Sequence, residues 1–237
     1  TQVFEHWFEP GQAQFTQDLR VSPDGQTVYL ADTGLFQFTN ASLLVVDLAS
    51  RTHRSLLSNE PAAQPEAWVT QRFDGKPHTL GYGLVSFTVG LDGIELSRDG
   101  QWLYFATMSH DSAYRMPTAA LKDIKLSSAE LSATIQKIGN KPLSDGIALD
   151  AQGNILITDI EHGAIARLGA DGKLQTLVRR ADIVWSDGVA IGPDGSVWLT
   201  DSGIPAYLDQ LARPPALDVL KSRAPYSLYR LAPADKP

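Results

Sequence analysis

Acidic side chains recur in this sequence at a fixed distance from a glycine turn. Asp145 and Asp187 each lie eight residues before a glycine, Gly153 and Gly195, and each is followed directly by another glycine. Asp92 stands in the same relation to Gly100, and Gln17, with Asp18 behind it, to Gly25. These four positions are spaced by 75, 53 and 42 residues. Brought to one place, they supply three carboxylates and one amide. Such an all-oxygen set suits Ca²⁺ or another hard divalent cation far better than a soft metal. It would also attract an organic cation. The alternative stays open that each aspartate caps a turn or bonds backbone amides between repeats.

Other chemistries find less support. A second set of acids, Asp32, Asp159 and Asp201, ends runs of β-type residues, with Thr107 in the equivalent place. At a strand end these read as turn caps. The five histidines show no HxH, HxxxH or HExxH spacing, so a histidine-based zinc site is not indicated. His110 and His162 read as exposed loop residues. The absence of cysteine excludes disulfides, thiolate metal sites and a cysteine nucleophile. There is no GxSxG elbow, P-loop or GxGxxG, which leaves a serine hydrolase, an NTPase and a dinucleotide enzyme without support, and no organic cofactor is expected. Tyr29, Trp102, Tyr104 and Trp198 read as packing between sheets. Trp185 and Tyr226, flanking the last repeat, are the aromatic candidates for lining a ligand pocket.

The elements that must position these residues repeat with them. "SDGIALDAQGNILITD" at 144–159 returns as "SDGVAIGPDGSVWLTD" at 186–201, with seven of sixteen residues identical. "LDGIELSRDGQWLYFAT" (91–107) and "TQDLRVSPDGQTVYLAD" (16–32) are two further copies. Each copy decodes as a strand, an Asp/Gly/Pro turn and a second strand rich in β-branched and aromatic residues. Third strands follow at 42–48, 112–117, 164–169 and 226–231, and fourth strands at 52–57, 133–138 and 174–178. A four-stranded antiparallel unit of roughly 40–50 residues is the size of a propeller blade. The expected fold is all-β, a propeller with blades near 15–58, 88–140, 143–180 and 185–231, in one domain over 1–237. In each blade the first strand lines the axis, which places the repeated Asp at the channel mouth. The adjacent glycine permits close backbone approach. A two-sheet sandwich would not repeat its first hairpin four times. Residues 58–82 read as a long loop, 118–132 as helical and amphipathic, and 203–225 as a Pro-bounded insertion with one short helix at most.

Bulk composition narrows the partners. The net charge of −7, without a Lys/Arg run, argues against nucleic acid and anionic membranes. No apolar run approaches the ~18–20 residues of a membrane span. The opening "TQVFEHWFEP" is not a signal peptide.

The phrases "QDLRVSPDGQTVYLADTG", "LDGIELSRDGQWLYF" with "AYRMPTAAL", "LSDGIALDAQGNILITDIEHGAIARL" and "RAPYSLYRL" resemble, in order, the Yellow/major royal jelly protein family in its bacterial form. More distantly the Asp-Gly phrases are similar to the gluconolactonase/SMP-30 group. Both resemblances imply a six-bladed propeller. Four blades' worth of phrases are present, so the favoured expectation is a chain lacking two N-terminal blades, with "QVFEHWF" as the outer strand of a preceding blade. The other expectation is a smaller ring that "QVFEHWF" closes by completing the last blade. An incomplete ring would expose strand edges and promote self-association.

The Yellow resemblance implies a small aromatic or amine ligand in the axial channel, dopachrome-type isomerisation in some members, and a secreted or periplasmic setting. Ligand contacts would then come from Gln17, Asp18, Asp187, Trp185 and Tyr226. The lactonase resemblance implies a divalent metal. By order of phrases, Gln17 matches its substrate-contacting Asn, Asp92 a metal ligand, and Asp145 the metal ligand that also serves as general base. That group's early Glu ligand has no counterpart here. A protein-interaction platform is the third class of function that a propeller face can serve.

Overall fold

The structure, a computed structural model, describes residues 4–34, 38–73, 75–80, 83–205 and 226–233. Four antiparallel sheets are arranged as a four-blade β-propeller. The first blade comprises β1 (Thr16–Val21), β2 (Thr27–Asp32), β3 (Ser42–Asp47) and β4 (Thr52–Leu56). Two short hairpins follow, β5 (Arg72–Phe73) with β6 (Lys76–Pro77) and β7 (Thr79–Leu80) with β8 (Val85–Ser86). The second blade holds β9 (Leu91–Leu96), β10 (Trp102–Thr107), β11 (Ser112–Pro117) and β12 (Gln136–Asn140), with helices α1 (Thr118–Lys122) and α2 (Ser128–Ser132) between the last two. The third is β13 (Ile147–Leu149), β14 (Ile155–Asp159), β15 (Ala164–Leu168) and β16 (Leu174–Arg179). The fourth has three described strands, β17 (Ser186–Ile191), β18 (Val197–Asp201) and β19 (Leu228–Leu231).

Period-two alternation explains why these sheets stack. Side chains of a strand point alternately to its two faces, so a sheet buried on both sides needs apolar residues on both. In β10, Leu103 and Phe105 face the first blade and join Tyr29, Leu43 and Val45 in one core. Tyr104 and Ala106 of the same strand face the third blade and pack with Ile147, Ile155 and Ile157. In β14, Leu156 turns the other way, onto Val189, Val197 and Leu199 of the fourth blade. The inner strands therefore stand side by side in chain order, β1 on β9, β9 on β13 and β13 on β17.

The first hairpin of every blade turns on a glycine in the left-handed region: Gly25, Gly100, Gly153 and Gly195, with φ of 67°, 69°, 80° and 81°. An aspartate in the turn caps the backbone; Asp24 accepts from Gln26 N at 3.0 Å and Asp99 from Gln101 N at 3.1 Å.

Three sequence expectations change. Residues 58–82 are not one loop but a 3₁₀ turn (Pro61–Ala63) and the start of the two hairpins. The stretch 118–132 divides into two five-residue helices, the second opened by a Ser127/Glu130 capping box. The described part of "QVFEHWF" carries no strand: the rings of His6 and Phe8 pack edge-on against His53 of β4. The short helix expected within 203–225 falls mostly outside the described residues.

Candidate functional site

The repeated position sits at a break of register on three of the four inner strands. The pairing slips between Thr16 and Leu19 on β1, beside Asp92 on β9, and between Ser186 and Val189 on β17. On the third blade Asp145 and Gly146 lie just before β13. A bulge of this kind re-aims one side chain, and here it turns the carboxylate toward the axis. Threonines of the neighbouring strands hold it open. Thr158 Oγ1 accepts from Asp145 N (3.1 Å) and Gly146 N (3.0 Å), and Thr200 Oγ1 accepts from Gly188 N (2.9 Å).

The glycines are needed because the blades touch there. A Cβ on Gly93 would stand 2.8 Å from the Asp145 carbonyl oxygen, and one on Gly146 2.6 Å from that of Asp187. Gly188 meets only Thr200 Oγ1 of its own blade, at 3.1 Å. On the first blade Asp18 occupies the glycine position. Its carboxylate crosses to the second blade instead, accepting from Ile94 N at 3.0 Å and pairing with Arg20, which also binds Glu95 at 2.8 Å.

The inner strands enclose a cavity of about 200 Å³ lined by Gln17, Asp18, Arg20, Asp92, Asp145 and Asp187, with the intervening glycines, Ile147 and Val189. Five expected site residues thus converge. Asp92 is 4 % exposed, and its carboxylate has no hydrogen bond or ion pair among the described residues. Burial, then the charges of Asp145, Asp18 and Asp187, hold its pKa well above the ordinary range, against a smaller pull from Lys141. Burial and Asp187 push Asp145 up to about 7, although the Trp185 indole N–H, donating to Oδ2 at 2.7 Å, works the other way. Asp187 is raised too, chiefly by burial. Beside this set Lys141 is buried, its ammonium donating to the Pro142 carbonyl at 3.1 Å; burial lowers its pKa to about 7.

The two aromatic candidates part company. Trp185 is 1 % exposed and reaches the site through Asp145 rather than through the cavity wall. Tyr226 is 63 % exposed and does not line the cavity.

His162 is exposed, as its loop position suggests, and is held by Asp159 at 2.9 Å. His110 is not exposed: it is buried beside Glu66 and Asp111. Among the described residues these three form the one group of potential ligands whose donor atoms all lie within 4.8 Å of each other. Their chemistry does not fit a metal. His110 Nδ1 accepts from Ser112 N at 3.1 Å, which puts the neutral ring's proton on Nε2, the nitrogen facing Glu66 Oε1 at 3.7 Å. Glu66 instead anchors its loop, accepting from Asp111 N at 3.1 Å. The channel aspartates are all-oxygen donors of the type a hard cation takes, but their oxygens do not close to that mutual distance.

The family described as Major royal jelly protein matches residues 12–199. The chain belongs to that family. No curated protein sequence matches it. Among solved structures, this royal-jelly-type propeller is similar to a luciferin-regenerating enzyme at 15 % identity and TM-score 0.55, over 93 % of this chain and 62 % of that one. A gluconolactonase from Xanthomonas campestris matches at 11 % identity and TM-score 0.53, over 83 % and 57 %. A virginiamycin B lyase from Staphylococcus aureus matches at 15 % and 0.50, over 81 % and 50 %. These likenesses are of fold. The chain spans 50–62 % of the length of these three structures.

Proposed function

We propose that this propeller binds a small organic cation, an amine on an aromatic or aliphatic body, in its axial channel. The observation that carries this reading is the Asp92 carboxylate, buried and without a hydrogen-bond partner among the described residues, facing a cavity shared with Asp145 and Asp187. Burying an ionised carboxylate unpaired is costly, so it holds a proton or takes a cation. Three carboxylates whose oxygens do not all close within 4.8 Å of one another still surround an ammonium group well, because each N–H can address a different oxygen. Family membership supports a ligand-binding propeller without naming the ligand.

Calorimetry with benzylamine and methylammonium tests the reading, in the presence of EDTA. Binding is expected to survive chelation and to strengthen from pH 5 to pH 8 as the raised carboxylates ionise. Asp92→Asn is expected to weaken it about tenfold or more, the loss of one buried charge-assisted contact. Absence of binding in a folded sample would remove the proposal.

The same unpartnered carboxylate favours a second reading, a divalent-metal lactone hydrolase with Asp92 and Asp145 as ligands. When bound, such an ion supplies Lewis-acid polarisation of a carbonyl and a more acidic water. In this chain Asp145 Oδ1, the oxygen not taken by Trp185, would receive the proton. This reading requires turnover that EDTA abolishes and Asp145→Asn removes.

A further inference from the structure

Between the first and second blades the chain does not take the short path. The described residues between 64 and 88 leave the 3₁₀ turn and visit the other three blades in turn, always at the end of the channel where the aspartates sit. At the second blade, Glu66 N donates to Ser109 O at 3.0 Å, and Glu66 Oε2 accepts from Asp111 N. At the third, Arg72 N donates to Glu161 Oε1 at 2.6 Å. At the fourth, the rings of His78 and Phe87 stand 5.8 Å and 6.0 Å from that of Trp185. Leu80 and Phe87 complete one apolar cluster with Val89, Met108, Ile160 and Trp185, drawn from every blade the segment touches. Two backbone bonds lock its own hairpins together, His78 N to Gln71 O and Phe87 N to His78 O, both at 2.9 Å.

Trp185 is shared between this segment and the site. One side of its indole is packed by the crossing residues, and its N–H donates to Asp145. Its backbone is fixed independently, Trp185 N donating to Asp201 Oδ1 at 2.9 Å. Backbone and ring are thus held by separate contacts, the ring by the crossing residues and Asp145.

We propose that the described residues between 64 and 88 form a strap closing the aspartate end of the channel, latched to Asp145 through the Trp185 indole. Strap order and the position of the Asp145 carboxylate are then coupled. A cation seated against Asp145 fixes the carboxylate that the indole holds, and so tightens the strap. This use of the latch rests on the cation reading above; the latch itself does not.

Amide hydrogen exchange at His78 and Phe87 in the full chain tests the latch without ligand. Trp185→Phe keeps an aromatic ring and loses the N–H; Asp145→Ala removes the acceptor. Each is expected to speed exchange at both amides by on the order of tenfold, the loss of one charge-assisted hydrogen bond, while β14 amides in the same samples stay unchanged. The double variant should go no faster than either single one. Unchanged strap exchange in Trp185→Phe, or effects that multiply in the double variant, overturns the latch. In a second arm, benzylamine in its ammonium form should slow strap exchange in the parent protein and not in Trp185→Phe. If that cation does not bind at all, the cation reading falls, and the ligand-free arm still decides the latch. If it binds and leaves the strap unchanged, the coupling is wrong.

Discussion

Two sets of aspartates, one ending second strands and one beside the inner strands, live in opposite environments. Asp32 and Asp201 end their second strands, and each accepts three backbone N–H groups. Asp32 accepts from the N–H groups of Gln14, Phe15 and Gly34, and Asp201 from those of Val184, Trp185 and Gly203, at 2.9–3.3 Å. They clamp the segment that feeds their own inner strand. Asp92, buried, and Asp145 and Asp187, half-buried, crowd one another at the inner strands with few donors, and their pKa values rise. The clamps are what a fold needs from a carboxylate. The inner set costs the fold stability, and a carboxylate kept at a cost is the better candidate for binding.

The sharpest way to break this contrast is to delete one member of each set. Asp201→Ala leaves three backbone N–H groups without their acceptor and should destabilise by about 3 kcal/mol. Asp92→Asn removes a buried charge and should leave stability at pH 8 unchanged or raise it by about 1 kcal/mol, while cation binding is lost. Urea unfolding of both variants at pH 8 reads the two signs. If Asp92→Asn destabilises as much as Asp201→Ala, the inner set is structural after all.

A smaller effect separates the glycines beside the inner aspartates. Gly146→Ala must push back the Asp187 carbonyl and Gly93→Ala that of Asp145, each against a neighbouring blade. Overpacking of this kind costs roughly 1–3 kcal/mol. Gly188→Ala meets only a hydroxyl of its own blade, and should cost less than about 1 kcal/mol. Thermal melts of the three variants should fall in that order. Equal losses would mean that the glycines serve the bulge dihedral and not the approach of the next blade.

Much of this was legible in the sequence, and the reasons are local. "WLYFAT" and "ILITD" are apolar on both faces, so a stack of sheets is the one arrangement that buries them. The Asp-Gly turns recur at a fixed offset, so Asp92, Asp145 and Asp187 had to meet around an axis. What could not be read depends on contacts between distant residues without periodicity. Trp185 reaches Asp145 across 40 positions, and Glu66 reaches Asp111 across 45. Nothing in the spacing of either pair announces it, so His110 read as exposed and Trp185 as a pocket wall. The strap's two-residue strands are too short to show alternation. Asp18 could be named but not placed: only the blade contact shows that it fills a glycine's position with a carboxylate.

The last contrast is in how stability depends on pH. A carboxylate whose folded pKa is raised above its unfolded value contributes stability that is complete below the unfolded pKa and lost as pH rises through the folded one. For Asp145 that window runs from 3.8 to about 7, with a limiting slope of about 1.4 kcal/mol per pH unit. Asp92 and Asp187 add to it in the same direction. His110, lowered from 6.5, opposes it at the acid end. Lys141, lowered from 10.5 to about 7, has the reverse dependence, and its contribution grows from pH 7 to pH 10. The ligand-free protein should therefore be least stable near pH 7, and more stable on either side until general acid or alkaline unfolding takes over. Asp145→Asn should flatten the acid limb and Lys141→Met the alkaline one. A monotonic profile in the parent protein would mean that the inner aspartates titrate like the surface, and that the contrast between the two sets of carboxylates is only one of hydrogen-bond count.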